Sequence, residues 1–199
     1  MDNFFKKHRL EVLTAKDYLL HLLQDVLSNV TSSPGDEPIV EHMMSRVKSD
    51  ASVIEKLERR GLEVSEESAL KNLSDIIGVR IVVRFVGDIY KIVDILRESE
   101  RFNIVLEKDY VQNSKPSGYR GFHVIVEILL NDIKIQAEIQ LRTVAMDSWA
   151  SLEHLLRYKK DYKEMNIVNK ELKKCSDDLM SADITMEQIR KVIEQNKDK

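Results

Sequence analysis

The chain carries a single cysteine in 199 residues. Cys175 therefore has no partner for an internal disulfide, and no Cys/His spacing resembles a zinc site. It stands in a charged helical stretch and reads as an ordinary surface or interface residue. Glycine and proline are scarce as well, at six and three residues, which argues against an all-β sandwich with many tight turns. No apolar run approaches the roughly 20 residues of a membrane span. The N-terminal MDNFFKKHRL lacks the continuous apolar run of an export signal. The cytoplasm is the expected address, with no membrane partner. An excess of charge is missing too: 31 Lys and Arg nearly balance 34 Asp and Glu, for a formal net charge of −3. That excludes a general attraction for polyanions and disfavours broad RNA affinity. Any hold on phosphate must come from a local cluster of Lys and Arg.

What is present is 43% hydrophobic and 33% charged residues, the mix of a globular protein with a charged, helix-rich surface. This length suits one domain with helical extensions and a real core. Leu10, Leu13, Leu20, Leu23 and Leu27 recur at helical spacing and predict a helix from about Phe4 to Val30. The stretch Thr31–Asp36 stops it. Pro38 suits the first turn of a second helix, running to about Arg60 with Gly61 as its C-cap. The period then changes: Ile77, Val79, Ile81, Val83 and Phe85 alternate with Gly78, Arg80, Val82 and Arg84, a mostly buried strand. Ile89–Arg97 reads as a crossover helix, Phe102–Leu106 as a short strand and Lys108–Gly121 as a polar loop. Two β-rich runs, Phe122–Leu130 and Ile133–Leu141, meet at Asn131-Asp132, a two-residue hairpin turn. From Ala145 to about Asn196 the pattern is helical, with a break near Ser181–Ile184. This order predicts an α+β protein with a mixed sheet and helices packed against it.

The second hairpin strand is the most informative stretch. Alternation puts Ile133, Ile135, Ala137, Ile139 and Leu141 on one face, and Lys134, Gln136, Glu138, Gln140 and Arg142 on the other. With a two-residue turn, His123 lies opposite Gln140 and Ile125 opposite Glu138, so His123, Glu138, Gln140 and Arg142 share one polar surface. The same pattern also describes the solvated face of an amphipathic hairpin. Asp75 opens the buried strand, and a carboxylate there, near a second one on a neighbouring strand, is what a Mg²⁺-nucleotide site needs. The Lys108–Arg120 loop mixes cations, small residues and tyrosines, a composition suited to phosphate and to stacking on a base. It is equally an ordinary solvated loop, and matches neither a Walker A motif nor a dinucleotide fingerprint. Arg46, Lys48 and Lys56 add a basic group on the second predicted helix; Lys48 and Lys56 lie close to two turns apart and project from similar sides, although Glu55, Glu58, Arg59 and Arg60 around Lys56 equally describe an ordinary charged helix face.

Together these segments resemble the synthetase domain of the RelA/SpoT family, in particular the stand-alone small alarmone synthetases of the RelQ and RelP type. Four blocks carry the match: Ser45-Arg46-Val47-Lys48 with Lys56 beyond; Asp75-Ile76-Ile77-Gly78-Val79-Arg80; Lys108-Asp109-Tyr110 followed by Lys115-Pro116-Ser117-Gly118-Tyr119-Arg120-Gly121-Phe122-His123; and Glu138-Ile139-Gln140-Leu141-Arg142-Thr143. Trp149, Glu153-His154 and Tyr158-Lys159 extend it, so the resemblance spans roughly Val40 to Lys160. Two positions depart from the family pattern: Ser45 stands where Gly is usual before the arginine, and Glu107 leaves the arginine-rich form of the loop incomplete.

The resemblance implies a mixed sheet of about five strands in a nucleotidyltransferase-like synthetase fold, divided as an N-terminal helix (1–36), a synthetase domain (37–160) and a C-terminal helical extension (161–199). It implies transfer of pyrophosphate from ATP to the 3′-hydroxyl of GDP or GTP, with GMP as a smaller acceptor, making (p)ppGpp. Asp75 would bind Mg²⁺, and Glu138 would complete the metal site or act as general base. Arg46 and Arg80 would sandwich the adenine, Lys48 and Lys56 would hold ATP phosphates, and Tyr119 would stack on guanine. Lys115 and His123 would lie near the acceptor nucleotide, with Gln140 and Arg142 as supporting polar groups. A homotetramer is implied, with an alarmone or single-stranded RNA as regulator. The chain has no room for a hydrolase half, so it is expected to synthesise only. Two other readings stay open: the branch that pyrophosphorylates tRNA or makes an adenine alarmone, and an inactive nucleotide- or RNA-binding module. The second is disfavoured because both Asp75 and Glu138 are present.

Overall fold

A computed structural model describes residues 4–31, 37–157 and 165–197. Helix α1 (Arg9–Leu27) buries Val12, Ala15, Leu19, Leu23 and Leu27, and leaves Leu10 and Leu13 in solvent. The stripe that meets the core is thus rotated from the one the leucines alone suggest. The stop at Thr31–Asp36 lies, apart from Thr31, outside the described residues; Thr31 forms an antiparallel bridge to Pro38.

The helix expected from Pro38 to Arg60 is two elements. Val40–Val47 is strand β1, and only Asp50–Arg59 is helical, as α2. The strand prevails because it completes antiparallel pairing with β2 (Ile77–Val83), from Val47↔Ile77 to Val40↔Val83. Ser49 caps α2 through the Ser52 N–H, and Gly61 ends it at φ +66, the left-handed conformation a C-terminal glycine supplies. A short helix not anticipated, α3 (Glu66–Asn72), follows its own Ser65 cap and carries Glu66 and Glu67 in its first turn.

After β2 come α4 (Val86–Glu98), β3 (Asn103–Asp109), β4 (Phe122–Leu130) and β5 (Ile133–Thr143). The five-stranded sheet runs β1-β2-β5-β4-β3, antiparallel except for the central β2/β5 pair. The hairpin has the expected register, Leu130↔Ile133, His123↔Gln140 and Ile125↔Glu138. Its turn residues Asn131 and Asp132 sit at φ +48 and +61, a type I′ geometry that Asn and Asp tolerate.

One face of the sheet carries Ile77, Val79, Ile81, Ala137, Ile139, Leu141, Val124 and Val126, which join one core with α1 and α4. The other face is bordered by α5 (Val144–Arg157), beside which runs α6 (Met165–Lys197). The expected break near Ser181–Ile184 is absent, because α6 continues through it. Its poor helix formers are satisfied in place: Thr185 Oγ1 donates to the Ser181 carbonyl, and Asp183 accepts from Thr143 Oγ1. Among the described residues, no helix is long and apolar enough to cross a membrane.

Asp132→Gly should raise the urea midpoint by the equivalent of about 0.5 kcal/mol, because glycine occupies the left-handed second turn position without steric cost. A lowered midpoint would count against the I′ turn.

Candidate active site

The polar face of the sheet is assembled by register. Across β1, β2 and β5, Arg46 lies beside Gly78 and Gly78 beside Glu138; one pleat along, across β2, β5 and β4, Arg80 lies beside Gln140 and Gln140 beside His123. Gly78 contributes no side chain to its row, and a Cβ there would touch Arg46 Cγ at 4.0 Å. The gap is part of the floor of an open cleft of about 540 Å³. Arg46, Lys48, Asp75, Arg80, Tyr119, Glu138, Gln140 and Arg142 all line it, roofed by Ala150, Ser151, Glu153 and His154 of α5. Of the residues anticipated from the sequence, Lys56, Lys115 and His123 stand just behind, each in contact with one that lines it.

At one end Asp75, two residues before β2, accepts from Lys48 Nζ at 2.8 Å and Lys56 Nζ at 2.7 Å, both on Oδ2. The lysines meet there although they do not share a helix: Lys48 ends the β1 connection, and Lys56 is in α2. Burial alone would push the Asp75 carboxyl up, but the two lysines outweigh it and hold it below the usual carboxylate range. Its other oxygen, Oδ1, is buried without a hydrogen-bond partner, an acceptor position still to be filled.

In the middle a closed ring of side chains converges on Glu138. Its Oε1 meets His123 Nδ1 at 2.9 Å, and its Oε2 accepts from Gln140 Nε2 at 2.5 Å. His123 Nε2 lies 2.6 Å from the Tyr119 hydroxyl, which accepts from Arg142 Nη2 at 3.1 Å. The same Arg142 nitrogen donates to Gln140 Oε1 at 3.2 Å, closing the ring. With the imidazole proton on Nδ1, Tyr119 donates to Nε2, and every hydrogen bond in both arms points from Arg142 toward Glu138. Burial pushes the Glu138 carboxyl up, but the His123 and Gln140 donors more than offset it, so Glu138 stays below the usual carboxylate range. Burial also pushes the Tyr119 phenol up, there with a net rise, and keeps its proton on.

Asp147, in the first turn of α5, was missed by sequence reasoning. Its Oδ1 bridges Arg80 Nη1 at 2.7 Å and Arg142 Nη1 at 2.9 Å, and burial that would raise its carboxyl is overcome by the two guanidinium groups. An acidic residue in the first turn of a helix that directly follows an arginine-bearing strand end is the only sequence signal that could have found it. Arg46, by contrast, makes no ion pair among the described residues. Lys115 lies over the rings of Tyr110 and Tyr119, at 4.5 and 4.8 Å from their centroids. Six cations (Arg46, Lys48, Lys56, Arg80, Lys115, Arg142) thus face four carboxylates (Asp75, Glu138, Asp147, Glu153), and the cleft is positive in a chain of net charge −3.

Fold and cleft define a class, an α+β protein with acids and cations gathered on the solvent-facing side of a mixed sheet, and the comparisons with known proteins identify which. Residues 45–163 match the model described as the region found in RelA / SpoT proteins. GTP pyrophosphokinase YwaC of Bacillus subtilis is 42% identical over 164 residues, spanning 80% of this chain and 78% of that protein. GTP pyrophosphokinase YjbM of the same organism is 34% identical over 159 residues, spanning 78% and 74%. The crystal structure of small alarmone synthetase 1 from B. subtilis bound to its product pppGpp superposes with a TM-score of 0.83, at 29% identity over 96% of this chain and 99% of that one. Small alarmone synthetase 2 from B. subtilis gives 0.80 at 37% identity, over 94% and 99%. The chain belongs to the RelA/SpoT family. Of the blocks that carry the sequence resemblance, Tyr158-Lys159 lies outside the described residues.

The lowered carboxyls fix the sign of the acid response. Asp75, Glu138 and Asp147 contribute stability above the unfolded carboxylate values, near pH 4, and lose it as pH falls through their lower folded values. Urea midpoints should therefore be flat from about pH 7 to 5 and fall below about pH 4. A midpoint that rises on acidification would contradict these networks.

Proposed function

We propose that this protein transfers the β,γ-pyrophosphate of ATP to the 3′-hydroxyl of GDP or GTP, with GMP as a smaller acceptor, and so makes (p)ppGpp. One observation carries the reading: Asp75 and Glu138, 63 positions apart in the chain, line a single cleft whose one end holds Lys48 and Lys56 against Asp75. The names of the relatives, GTP pyrophosphokinase and small alarmone synthetase, support it.

The acceptor oxygen forms a bond to the β-phosphorus while the bond from that phosphorus to the bridging oxygen of the α-phosphate breaks, and AMP leaves. Glu138, held ionised by His123 and Gln140, takes the hydroxyl proton. Lys48 and Lys56 shift from Asp75 onto the triphosphate and neutralise it. Arg46 and Arg80 flank the adenine, with Arg80 held in place by Asp147. Tyr119 stacks on guanine by exchanging one of the cations now on its ring, Lys115 or Arg142, for the base. The donor set suits Mg²⁺: two carboxylates, one with an unpartnered buried oxygen, beside a polyphosphate site. Held by Asp75 and Glu138, Mg²⁺ would screen the charge of the transferred phosphates and acidify the acceptor hydroxyl.

A cytoplasmic homotetramer regulated by an alarmone or single-stranded RNA belongs to the same reading. Exposed apolar side chains support its oligomeric part, Leu10 and Tyr18 on α1 and Ile189, Val192 and Ile193 on α6.

The assay is purified protein with Mg²⁺, ATP labelled on the terminal phosphate, and GMP, GDP, GTP or tRNA in turn, resolved by chromatography. Label is expected in the guanine nucleotide; label in tRNA alone would favour the tRNA-modifying branch, and none at all the inactive module. Glu138→Gln should lower product formation by at least about 100-fold while the protein still folds, with a native circular-dichroism spectrum, because a neutral amide keeps one of the two accepted hydrogen bonds. Wild-type turnover by this variant would remove Glu138 from the mechanism.

A further inference from the structure

Tyr119 is gripped from behind by a helix that lies outside the matched family region, which ends at residue 163. Both of its neighbours in the chain are pinned to α6. The Gly118 carbonyl accepts from Ser176 Oγ at 2.5 Å, in a contact buried from solvent. Arg120 Nη2 donates to Asp177 Oδ1 at 2.9 Å, while its Nη1 donates to the Val111 carbonyl at 2.6 Å and ties the other limb of the loop to the same anchor. Gly118 has φ +94, and a Cβ on it would come within 2.9 Å of the Lys173 Cα, 3.2 Å of the Trp149 ring and 3.3 Å of Ser176 Cβ. The loop backbone therefore rests directly on α6, where only glycine fits. Trp149 is itself fixed to α6 by its indole N–H, which donates to the Leu172 carbonyl at 2.9 Å. Lys115 follows Tyr119, because Gly118 N–H donates to the Lys115 carbonyl and Lys115 N–H to the Tyr119 carbonyl.

We infer that Ser176 and Asp177 of α6 are positioning residues for the acceptor nucleotide: they hold the Lys115–Arg120 turn at the height that puts the Tyr119 ring on the cleft, with the Lys115 ammonium against that ring. The inference rests on the proposed guanine contact of Tyr119 and adds the element that sets its position. It separates the two substrates. The residues assigned to ATP (Arg46, Lys48, Lys56 and Arg80) belong to β1, α2, β2 and their connections, none of which α6 touches at Ser176 or Asp177. Loosening this anchor should therefore weaken acceptor binding and spare ATP. General destabilisation would affect both.

The test uses the full chain with ATP and GDP. Ser176→Ala and Asp177→Ala are each expected to raise the KM for GDP about five- to tenfold, the equivalent of one hydrogen bond, with the KM for ATP unchanged and kcat within about twofold. Gly118→Ala should do so more strongly. It should also shift the emission of Trp149, the single tryptophan, to the red as the loop lifts from its ring. Calorimetric binding of GDP without ATP reads the same effect independently of turnover, as a weaker Kd in all three variants. A KM for ATP that rises in step with that for GDP, or GDP affinity unchanged in all three variants, overturns the inference. Wild-type protein that binds GDP but yields no product sinks the proposed function and leaves the binding comparison to judge the anchor.

Discussion

The parallel pairing of β2 with β5 is the constraint on which the cleft depends. It joins two antiparallel halves, β1-β2 and β5-β4-β3, and its register sets Gly78 opposite Glu138, Arg80 opposite Gln140 and Val82 opposite Arg142. A slip of one residue would turn Glu138, Gln140 and Arg142 toward the core and bring Ile139 and Leu141 to water. Burying those polar groups under α1 and α4 without partners would cost several kcal/mol, so the slip is forbidden by the core side of the sheet. The hydrophobic alternation packed against the helices therefore holds the polar geometry on the other face. Stability and site are two sides of one ladder.

The charges on that face are not there to stabilise the fold. Buried or half-buried ion pairs lose in desolvation much of what they gain in attraction, and apolar residues of similar size often do as well. Here the charges are paired with redundancy: Asp75 takes two lysines on one oxygen, and Asp147 takes two arginines on one oxygen. Each carboxylate is thus over-supplied with cations before any substrate arrives. A polyanion entering the cleft can draw the lysines from Asp75 without creating an unpaired buried cation, which keeps the cost of rearrangement low.

What could be read from the chain was what is set locally. The β4/β5 hairpin, its register and its shared polar face follow from a two-residue turn and strict alternation, so His123, Glu138 and Gln140 were placed together before any fold was known. Strand β1 was not legible. As an edge strand it carries the polar mixture Glu41, His42, Ser45 and Arg46, runs almost directly into α2, and owes its conformation to a partner 30 or more residues away. Lys48 and Lys56 do not share the helix that their spacing suggests, yet they do converge, because Lys48 follows the end of β1 beside Asp75, two residues before β2. Asp147 and the α6 anchor of the loop depend on how helices dock against the sheet, and no local period encodes that. The expected Ser181–Ile184 break does not form, because side-chain hydrogen bonds within α6 and to Thr143 satisfy the polar residues there in place.

The polarity of the ring around Glu138 bears on how such a site can move a proton. A general base works best with a pKa near the working pH, yet Glu138 is held below the ordinary carboxylate range by donors on both oxygens. Its basicity is thus reduced and its ionisation guaranteed. That trade suits a group that must remain anionic beside Asp75, another carboxylate whose charge acts on it. In the proposed transfer it would also shift the demand to the acceptor, whose hydroxyl would have to be acidic enough for a weak base to take its proton. The electropositive surroundings, with Arg142 feeding both arms of the ring and Lys115 beyond Tyr119, would favour the developing alkoxide of that proposed reaction in the same way that they favour the carboxylate. Strength of base is given up, and the field of the cleft takes its place.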